Sequence, residues 1–380
     1  MILLCHSTNS NYLYKMKNLL LTLLLVVFVY ASAKAQGCVA IRSNGMVCSM
    51  EHPNEEASDD ATAKGWQLNL AHRYFKSFRH YRGDEEQKER LENNTEVINW
   101  QNSLDITLLR QLNTRWTVGA GIPLIINKRS SLYEHGRTER HNTHSHGLGD
   151  ARLIAYRWML DPAKSKGNFQ LGLGVKLPTG NYNYKDTFYN VGPEGTPEER
   201  PVDQSIQLGD GGVGAITEVN GFYALSSKFL LYSNVYYLFN PRGENGTRTF
   251  RETLSPTLAN EAIMSVPDQY MVRLGLSRNF GGKLQGLTAS AGGRIEGIPV
   301  EDVFGSSEGF RRPGYVVSVE PGLTYRAGRF NFFATVPVAL ERNRLQSVTD
   351  KENTITFGRD IHGDAAFADY SINLGLTLKL

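Results

Sequence analysis

Long apolar runs, cysteine and excess charge are all scarce in this sequence. Of its 380 residues, only the run at positions 19–30 stays apolar for longer than one strand, and the mean hydropathy is −0.35. A bundle of membrane-spanning helices, each of which needs about 20 apolar residues, is therefore excluded. The net charge is +3 with 21% charged residues, which is not the basic field of a nucleic-acid-binding protein. We expect no nucleic-acid partner.

The apolar run at 19–30 has the flanks of an export signal. Lys17 precedes it and the small-x-small sequence AKA follows it. About a dozen apolar residues are too few to span a bilayer well. The pattern predicts a secretory signal peptide over residues 1–35, cleaved before Gln36, with Met16 as an alternative start. We therefore expect an exported protein.

Two of the three cysteines, Cys38 and Cys48, lie in an extension that we predict over residues 36–65. In an oxidising compartment, two cysteines this close in sequence predict a local disulfide bond. Lipidation of Cys38 and a pair of free thiols are the open alternatives. The extension could also enter a barrel lumen from below, and its deletion would test that hypothesis.

The chain is rich in alternation between apolar and polar residues. In FQLGLGVKLPTGNY, Phe169, Leu171, Leu173 and Val175 form one row and Lys176 belongs to the other. A period of two is typical of a strand with chemically opposite faces. About twelve such segments follow one another over residues 66–380, and each can cross a hydrocarbon core, which takes about nine to eleven residues. In the fourth and least regular segment, the apolar row predicted to face outward is Ile154, Tyr156 and Trp158.

The connections between these segments alternate in length. Those after even-numbered segments are brief, for example RAGR after the tenth. Those after odd-numbered segments are long and polar, and a soluble sandwich has no reason to place every long loop at one end, whereas an outer-membrane barrel does. The fold class predicted is all-β, a transmembrane antiparallel up-and-down β-barrel of about twelve strands over residues 66–380, with both termini periplasmic. The long connections are 78–95, 128–147, 183–208, 242–267, 300–313 and 341–365.

Charged residues of both signs recur on the rows opposite the apolar ones, where they can pair across a wet lumen. Charge alone does not decide between a lumen and the outer face of a soluble sandwich, so this prediction depends on the asymmetry of the connections. The candidate lumen-lining residues are Arg73, Asp105, Arg115, Lys176, Glu218, Arg273, Arg294, Glu296, Glu320 and Arg326.

Proline recurs near the long-loop end of several odd-numbered segments, at Pro123, Pro178, Pro299 and Pro337. Because proline cannot donate to a strand ladder, each position marks a bend, a bulge or a missing bond in the wall. Strand shaping is the favoured interpretation. The alternative is a kinked rim or a lateral opening for substrates.

GLGD at 147–150 opens a strand, and the glycine-alternating strand that follows ends in LGVKLPTGNY. These motifs resemble the outer-membrane family named for the meta-pathway of phenol degradation. QGCVAIRS near the start and ADYSINLGLTLKL at the end are similar to exported barrels of the Bacteroidetes type. The resemblance covers most of the span from Trp66 onward and implies a barrel for uptake of hydrophobic or aromatic small molecules. It supplies no catalytic residues.

The sharpest local motif is HGRTERHNTHSHG, in which His141, His144 and His146 could hold Zn²⁺ or Cu²⁺. A solvated polar loop is the alternative that we favour. Ser145, between two of these histidines, is the only hint of an outer-membrane phospholipase, which needs a serine hydrogen-bonded to a histidine. Adjacent strand residues point to opposite faces, so we expect no enzyme and no cofactor.

Two classes of function remain. The first is passive or facilitated passage of small, hydrophobic or aromatic solutes through the outer membrane of a Gram-negative bacterium. The second is a non-transporting barrel that acts through its external loops in adhesion or assembly. In either case the expected partners are outer-membrane lipid and the barrel-assembly machinery, with a small-molecule solute for the first class.

Overall fold

The computed structural model describes residues 65–161 and 165–380. The predicted signal peptide, almost all of the extension and the Cys38–Cys48 pair lie outside the described residues. The sheet closes on itself, because strand β1 (Gly65–Arg82) pairs on one side with β2 (Ile98–Gln111) and on the other with β12 (Ala365–Lys379). Every neighbouring pair of strands is antiparallel, and the barrel has twelve strands, as predicted. The nine strands between β2 and β12 are β3 (Trp116–Ser131), β4 (His141–Leu148 and Ala151–Trp158), β5 (Gly167–Leu177), β6 (Gly214–Ala224), β7 (Phe229–Phe239), β8 (Gln269–Asn279), β9 (Leu287–Ile298), β10 (Gly314–Ala327) and β11 (Phe330–Thr335 and Val338–Arg344).

The wall presents its apolar rows outward. Leu171, Leu173 and Val175 of β5 are exposed on the outer face, whereas Gln170 and Lys176 of the same strand are buried inside. An apolar exterior with a polar interior is the arrangement of a barrel whose outside meets lipid. No helix among residues 65–161 and 165–380 has the length and apolar character needed to cross a membrane.

Short and long connections segregate to opposite ends of the barrel, as predicted. The short connections are 112–115, 159–166, 225–228, 280–286 and 328–329, and the long ones are 83–97, 132–140, 178–213, 240–268, 299–313 and 345–364. The long connections carry most of the remaining structure. This comprises helices α1 (Glu89–Glu92) and α2 (Val348–Phe357), a hairpin of Lys185–Phe188 with Glu198–Pro201, and a second hairpin of Glu244–Arg248 with Ile263–Ser265.

The predicted long loop at 128–147 is wrong in its bounds. β3 continues to Ser131 and β4 begins at His141, so nine residues, 132–140, connect them. The sequence is polar there because these parts of the strands rise above the apolar belt. Polar residues on both faces of a strand resemble a loop in sequence.

The orientation predicted for the fourth strand is also wrong. Ile154 and Tyr156 face the lumen, where they pack with Ile216, Tyr236 and other apolar side chains. Leu153, on the opposite row, is 48% exposed on the outside. Each row of this strand contains one arginine, Arg152 inside and Arg157 outside, so polarity alone could not distinguish the faces.

Two strands are interrupted, and a proline lies at each interruption. Pro337 occupies the break within β11, and the carbonyl of Pro123 accepts a hydrogen bond from the Gly149 N–H at 2.8 Å beside the break within β4. Pro178 and Pro299 directly follow β5 and β9. Pro178, Pro299 and Pro337 therefore lie where a strand ends or is broken, whereas Pro123 lies within β3 beside the break in β4, and strand shaping stays a prediction.

The first segment of β4 pairs with β3 on one side only. Its other edge is covered by the hairpin of Lys185–Phe188. Asp186 Oδ2 accepts a hydrogen bond from the His144 N–H at 2.6 Å, across what would otherwise be a free edge. An uncovered edge is a site for unwanted strand pairing, so the covering has a clear physical role.

Candidate functional site

Eight of the ten candidate lumen residues are buried inside the barrel. Arg115 and Arg326 differ, because both are only half-buried and lie at the end with the short connections. The eight buried residues are Arg73, Asp105, Lys176, Glu218, Arg273, Arg294, Glu296 and Glu320.

Five of these form one chain of ion pairs across the lumen. Arg73 of β1 donates to Glu296 of β9 at 3.2 Å, although these strands are not neighbours. Glu296 also accepts from Arg294 at 2.6 Å. Arg294 lies 3.7 Å from Glu320, which accepts a short hydrogen bond from Arg273. These side chains cross the barrel and fill its middle.

The register of β8 and β9 explains why this chain of ion pairs contains two carboxylates, those of Glu296 and Glu320. Arg273 and Arg294 lie directly opposite each other on β8 and β9. Like charges in this position destabilise a sheet. Glu296 on one side and Glu320 on the other compensate them, so both arginines can be buried.

Elsewhere in the lumen, β2, β4, β5 and β6 contribute a second group of polar contacts, together with Asp210 of the connection at 178–213. Arg152 forms short contacts with Asp105, and Lys176 does the same with Asp210. Glu218 accepts from the Tyr156 hydroxyl at 2.7 Å. The lumen is therefore constricted at this level by paired charges rather than left as an open pore.

Above this level, the connection at 178–213 folds into the barrel. Its residues Val202 and Ile206 are fully buried. The Ile206 carbonyl accepts from Asn127 of β3 at 3.3 Å and from the Ser145 hydroxyl of β4. We call residues 178–213 the inserted loop.

Asp203 fixes the inserted loop to two sides of the barrel. Its carboxylate accepts two hydrogen bonds from Arg312, at 3.0 and 2.7 Å, and lies 3.4 Å from the Arg129 guanidinium. Arg129 belongs to β3, and Arg312 precedes β10. Burial by itself would raise the pKa of Asp203, but Arg129 and Arg312 outweigh burial and hold that pKa well below its usual range.

The aspartate of the GLGD motif holds both ends of the inserted loop. Asp150 accepts from the Gly180 N–H at 3.0 Å and from the Asp210 N–H at 3.1 Å. Gly209 permits this close approach, since a Cβ there would lie 2.6 Å from Asp150 Oδ1 and 2.7 Å from the Gly180 carbonyl. The motif therefore positions the loop at the break within β4.

A cavity of about 190 Å³, which we call the outer cavity, lies between the external connections and the ends of the strands that carry them. Tyr133, Phe310, Arg251, Glu261 and Arg312 are among its lining residues. Arg251 lies between two aromatic rings, 4.7 Å from that of Phe250 and 5.4 Å from that of Phe310.

Three lining groups of this cavity have unused hydrogen-bonding capacity. Within the described part of the chain, the Arg251 guanidinium, the Glu261 carboxyl and the Tyr133 hydroxyl have no hydrogen-bond partner, and Arg251 Nη1 is buried. Burial and the neighbouring Asp350 raise the pKa of Glu261 to about 7. A polar guest that entered the cavity would meet both donors and acceptors.

A smaller cavity of about 50 Å³, which we call the inner cavity, lies against the inserted loop. Gln101, Gln204, Ser205 and Asp210 help to line it, and Arg312 lines both cavities. Arg312 therefore lies between the outer cavity and the inner one, and its contact with Asp203 binds it to the inserted loop.

The three histidines of the predicted metal site do not converge. His144 and His146 lie on the outward row of β4, whereas His141 lies on the other row and stacks on Tyr189 at 4.4 Å. Across the described residues, no group of three His, Cys, Asp or Glu side chains is arranged to hold a metal ion.

Ser145 does not contact either neighbouring histidine. Its hydroxyl points inward and donates to the Ile206 carbonyl, while His144 and His146 face outward. The serine–histidine contact that a hydrolase requires is thus not formed at this position.

Several residues of the site were not predicted from the sequence, although some of them left a signal there. Val202, Ile206 and Leu208 give the inserted loop an apolar content that an exposed loop does not need. Asp203, Asp210 and Arg312 left no such signal, since their partners lie on distant strands. Arg152 was missed because the fourth strand was assigned in the opposite orientation.

Comparisons with known proteins bear on the fold. No family model and no curated protein matches the sequence. The barrel is similar to the crystal structure of an outer-membrane channel from Pseudomonas putida F1, with a TM-score of 0.54 and 13% identity over 86% of this chain and 100% of that chain. It is less similar to the toluene transporter TodX of Pseudomonas putida, with a TM-score of 0.42 and 9% identity over 91% of this chain and 96% of that one. The first similarity establishes that the chain has the fold of an outer-membrane β-barrel.

Proposed function

We propose that this protein is an outer-membrane channel for passive passage of small hydrophobic or aromatic molecules. The barrel-assembly machinery would insert it with the short connections and both termini in the periplasm and the long connections outside. The fold and the apolar exterior support this orientation, because short periplasmic turns and long external loops are typical of such barrels.

The observation that carries the proposal is the outer cavity. Its volume of about 190 Å³ exceeds the roughly 150 Å³ of an apolar cavity that holds one benzene molecule. Tyr133 and Phe310 offer aromatic surface, and Arg251 and Glu261 offer unused polar groups. A single substituted ring fits this combination of volume and chemistry.

Passage would require the inserted loop to move. A solute leaving the outer cavity would meet Arg312, which is bound to Asp203, then the inner cavity, and then the ion pairs of the lumen. Because Arg312 and Asp203 are charged, water can replace their contact when the loop shifts. We therefore infer a channel that is occluded at rest.

Planar-bilayer recordings test the function directly. The purified full-length protein should give small currents that monoaromatic solutes reduce when they are added on the long-loop side. Permeation of the same solutes into protein-containing vesicles should exceed that of protein-free vesicles. A barrel that neither conducts nor accelerates solute entry would overturn the proposal.

Arg312→Gln tests whether the inserted loop limits passage. Losing the bidentate contact with Asp203 should loosen the loop and raise the conductance several-fold. Arg311→Gln is the matched control, because Arg311 is an adjacent buried arginine that pairs with Asp302 rather than with the loop. Equal conductance of the wild type and the Arg312 variant would show that the loop does not limit passage.

One observation favours the second candidate function, a barrel that acts through its external loops. Helix α2 exposes Ile355 to 83% and Phe357 to 43%. Apolar side chains at the tip of an external loop suit a contact with another macromolecule. A barrel that is electrically silent yet retains a surface partner, and loses it on Ile355→Ser substitution, would support this alternative.

A further inference from the structure

A row of outward-facing side chains crosses three strands near the external end of the barrel. Lys76 of β1 lies directly opposite Trp100 of β2, and Trp100 lies directly opposite Lys128 of β3. The Lys76 and Lys128 ammonium groups lie 5.6 and 5.0 Å from the indole ring, and the Lys76 ammonium also lies 4.9 Å from the Phe78 ring. These distances fall within the range of a cation–π contact, so Trp100 and Phe78 together hold the two lysine side chains at this place.

A second set of cation–aromatic pairs marks the other end of the same wall. Trp66 lies opposite Arg110, at 5.0 Å, and Trp116 lies opposite Arg157, at 5.5 Å. Tryptophan is enriched at the two membrane–water interfaces, where its ring is apolar and its N–H is wet. These pairs therefore indicate the periplasmic edge of the apolar belt.

The separation of the two sets matches one membrane. Lys76 follows Trp66 by ten residues on β1. At about 3.3 Å per residue and a tilt of about 40°, ten residues rise about 25 Å, which is the usual height of the apolar band of an outer-membrane barrel. Lys76, Trp100 and Lys128 thus lie at the outer edge of the belt, at the level of lipid headgroups.

The two lysines have no anionic partner of their own. Neither ammonium forms an ion pair within residues 65–161 and 165–380, and both are partly exposed. The next residue of the row, His144, lies opposite Lys128 and has Asp186 beside it, 3.6 Å away, so the unbalanced charge is confined to the lysines. On β11, the corresponding exterior instead carries Glu341, hydrogen-bonded to Tyr315.

We propose that Lys76, Trp100 and Lys128 form a binding site for the phosphate of a phosphorylated glycolipid in the outer leaflet. The ammonium groups would bind the phosphate, and the indole would pack against the sugar and the start of the acyl chains. This inference depends on the orientation given under the proposed function but not on passage of any solute. A silent barrel could still bind the lipid.

Native mass spectrometry of the full-length protein in detergent can test the site with diphosphorylated lipid A as the probe. Each cationic side chain near an anionic lipid surface adds to the binding free energy. The loss of two such side chains should weaken binding about 30-fold. Lys76→Gln/Lys128→Gln should therefore lose most of its lipid adduct. Dephosphorylated lipid A should bind the wild type no better than the diphosphorylated lipid binds this variant.

Lys228→Gln/Lys283→Gln is the matched control, since both lysines lie in connections at the short-loop end. It removes the same charge and should keep the adduct. Equal adduct in all three proteins, an equal loss in both double variants, or retention of dephosphorylated lipid by the wild type would each overturn the site.

Trp100→Phe keeps an aromatic ring beside the lysines, so it should weaken lipid binding less than the lysine changes do. Bilayer currents of the lysine variant should match those of the wild type.

Discussion

Arg73 on β1 donates a hydrogen bond to Glu296 on β9, across part of the lumen between strands that are not neighbours. Glu296 is fully buried and also binds Arg294. One carboxylate thus joins two walls of the barrel. We therefore expect the stability of the barrel to depend on it.

Glu296→Gln should destabilise the folded barrel markedly, because two buried guanidinium groups lose their shared carboxylate. Removing one partner of a buried ion pair costs about 3–5 kcal/mol. Urea unfolding in detergent, followed by the heat-dependent gel mobility of the barrel, measures the change. Glu341→Gln, on the exposed exterior, is the control and should cost less than about 1 kcal/mol. Equal effects would show that the buried network adds nothing.

Gly209→Ala should displace the inserted loop. The new Cβ would collide with Asp150 Oδ1 and the Gly180 carbonyl, and the expected result is faster proteolysis within residues 178–213 together with a higher conductance. Gly281→Ala is the matched control, because no atom within 4 Å would meet its Cβ. Unchanged protease resistance of the Gly209 variant would contradict this account of the loop.

Leu173→Arg tests whether the exterior meets lipid. Leu173 is 57% exposed in the middle of the belt, and an arginine near the bilayer midplane of a barrel costs about 2–4 kcal/mol. Leu284→Arg places the same charge on a side chain that is 52% exposed in a short connection. In lipid vesicles only the first change should lower the free energy of unfolding. Equal tolerance of both would argue that Leu173 faces water.

The raised pKa of Glu261, about 7, predicts a pH dependence of the external loops. Below about pH 4.5 the carboxyl is protonated in both the folded and the unfolded states, so it has no differential effect. As the pH rises toward 7, the unfolded state loses its proton first, and the folded state loses stability. Above pH 7 this loss is constant.

Glu261→Gln should remove that dependence. The variant should match the wild type at pH 4.5 and exceed its stability at pH 8 by on the order of 3 kcal/mol. Urea unfolding at both pH values, read by heat-dependent mobility, gives the comparison. Glu199→Gln, at an exposed position of the first hairpin, is the control and should follow the wild-type curve. A gap that stays constant from pH 4.5 to 8 would refute the titration of Glu261.

The strands, their rows and the segregation of the connections could be predicted because they are local. The alternation at positions such as Leu171 and Leu173 reflects the environment of each face of one strand. It can therefore be recognised without knowing which strands are its neighbours. The prediction was wrong at β4, because each row of that strand contains an arginine and aromatic residues fill its inner face. There the chemistry of the two faces is nearly equal.

The pairing inside the lumen could not be predicted. Whether Arg73 reaches Glu296 depends on the diameter and the stagger of the closed barrel, which no single strand specifies. The inserted loop is a similar case, because Asp203 becomes a tether only once Arg129 and Arg312 face it from two walls. Long-range geometry, rather than residue type, determines these contacts.

The break within β4 has a consequence for gating. The same stretch of chain fills the lumen with Ile206 and shields the backbone of His141–Leu148 with its hairpin. Withdrawing that stretch would clear the external part of the lumen and expose unpaired amides of β4 in the same motion. The exposed strand edge would disfavour this state, unless an extended peptide paired with the amides.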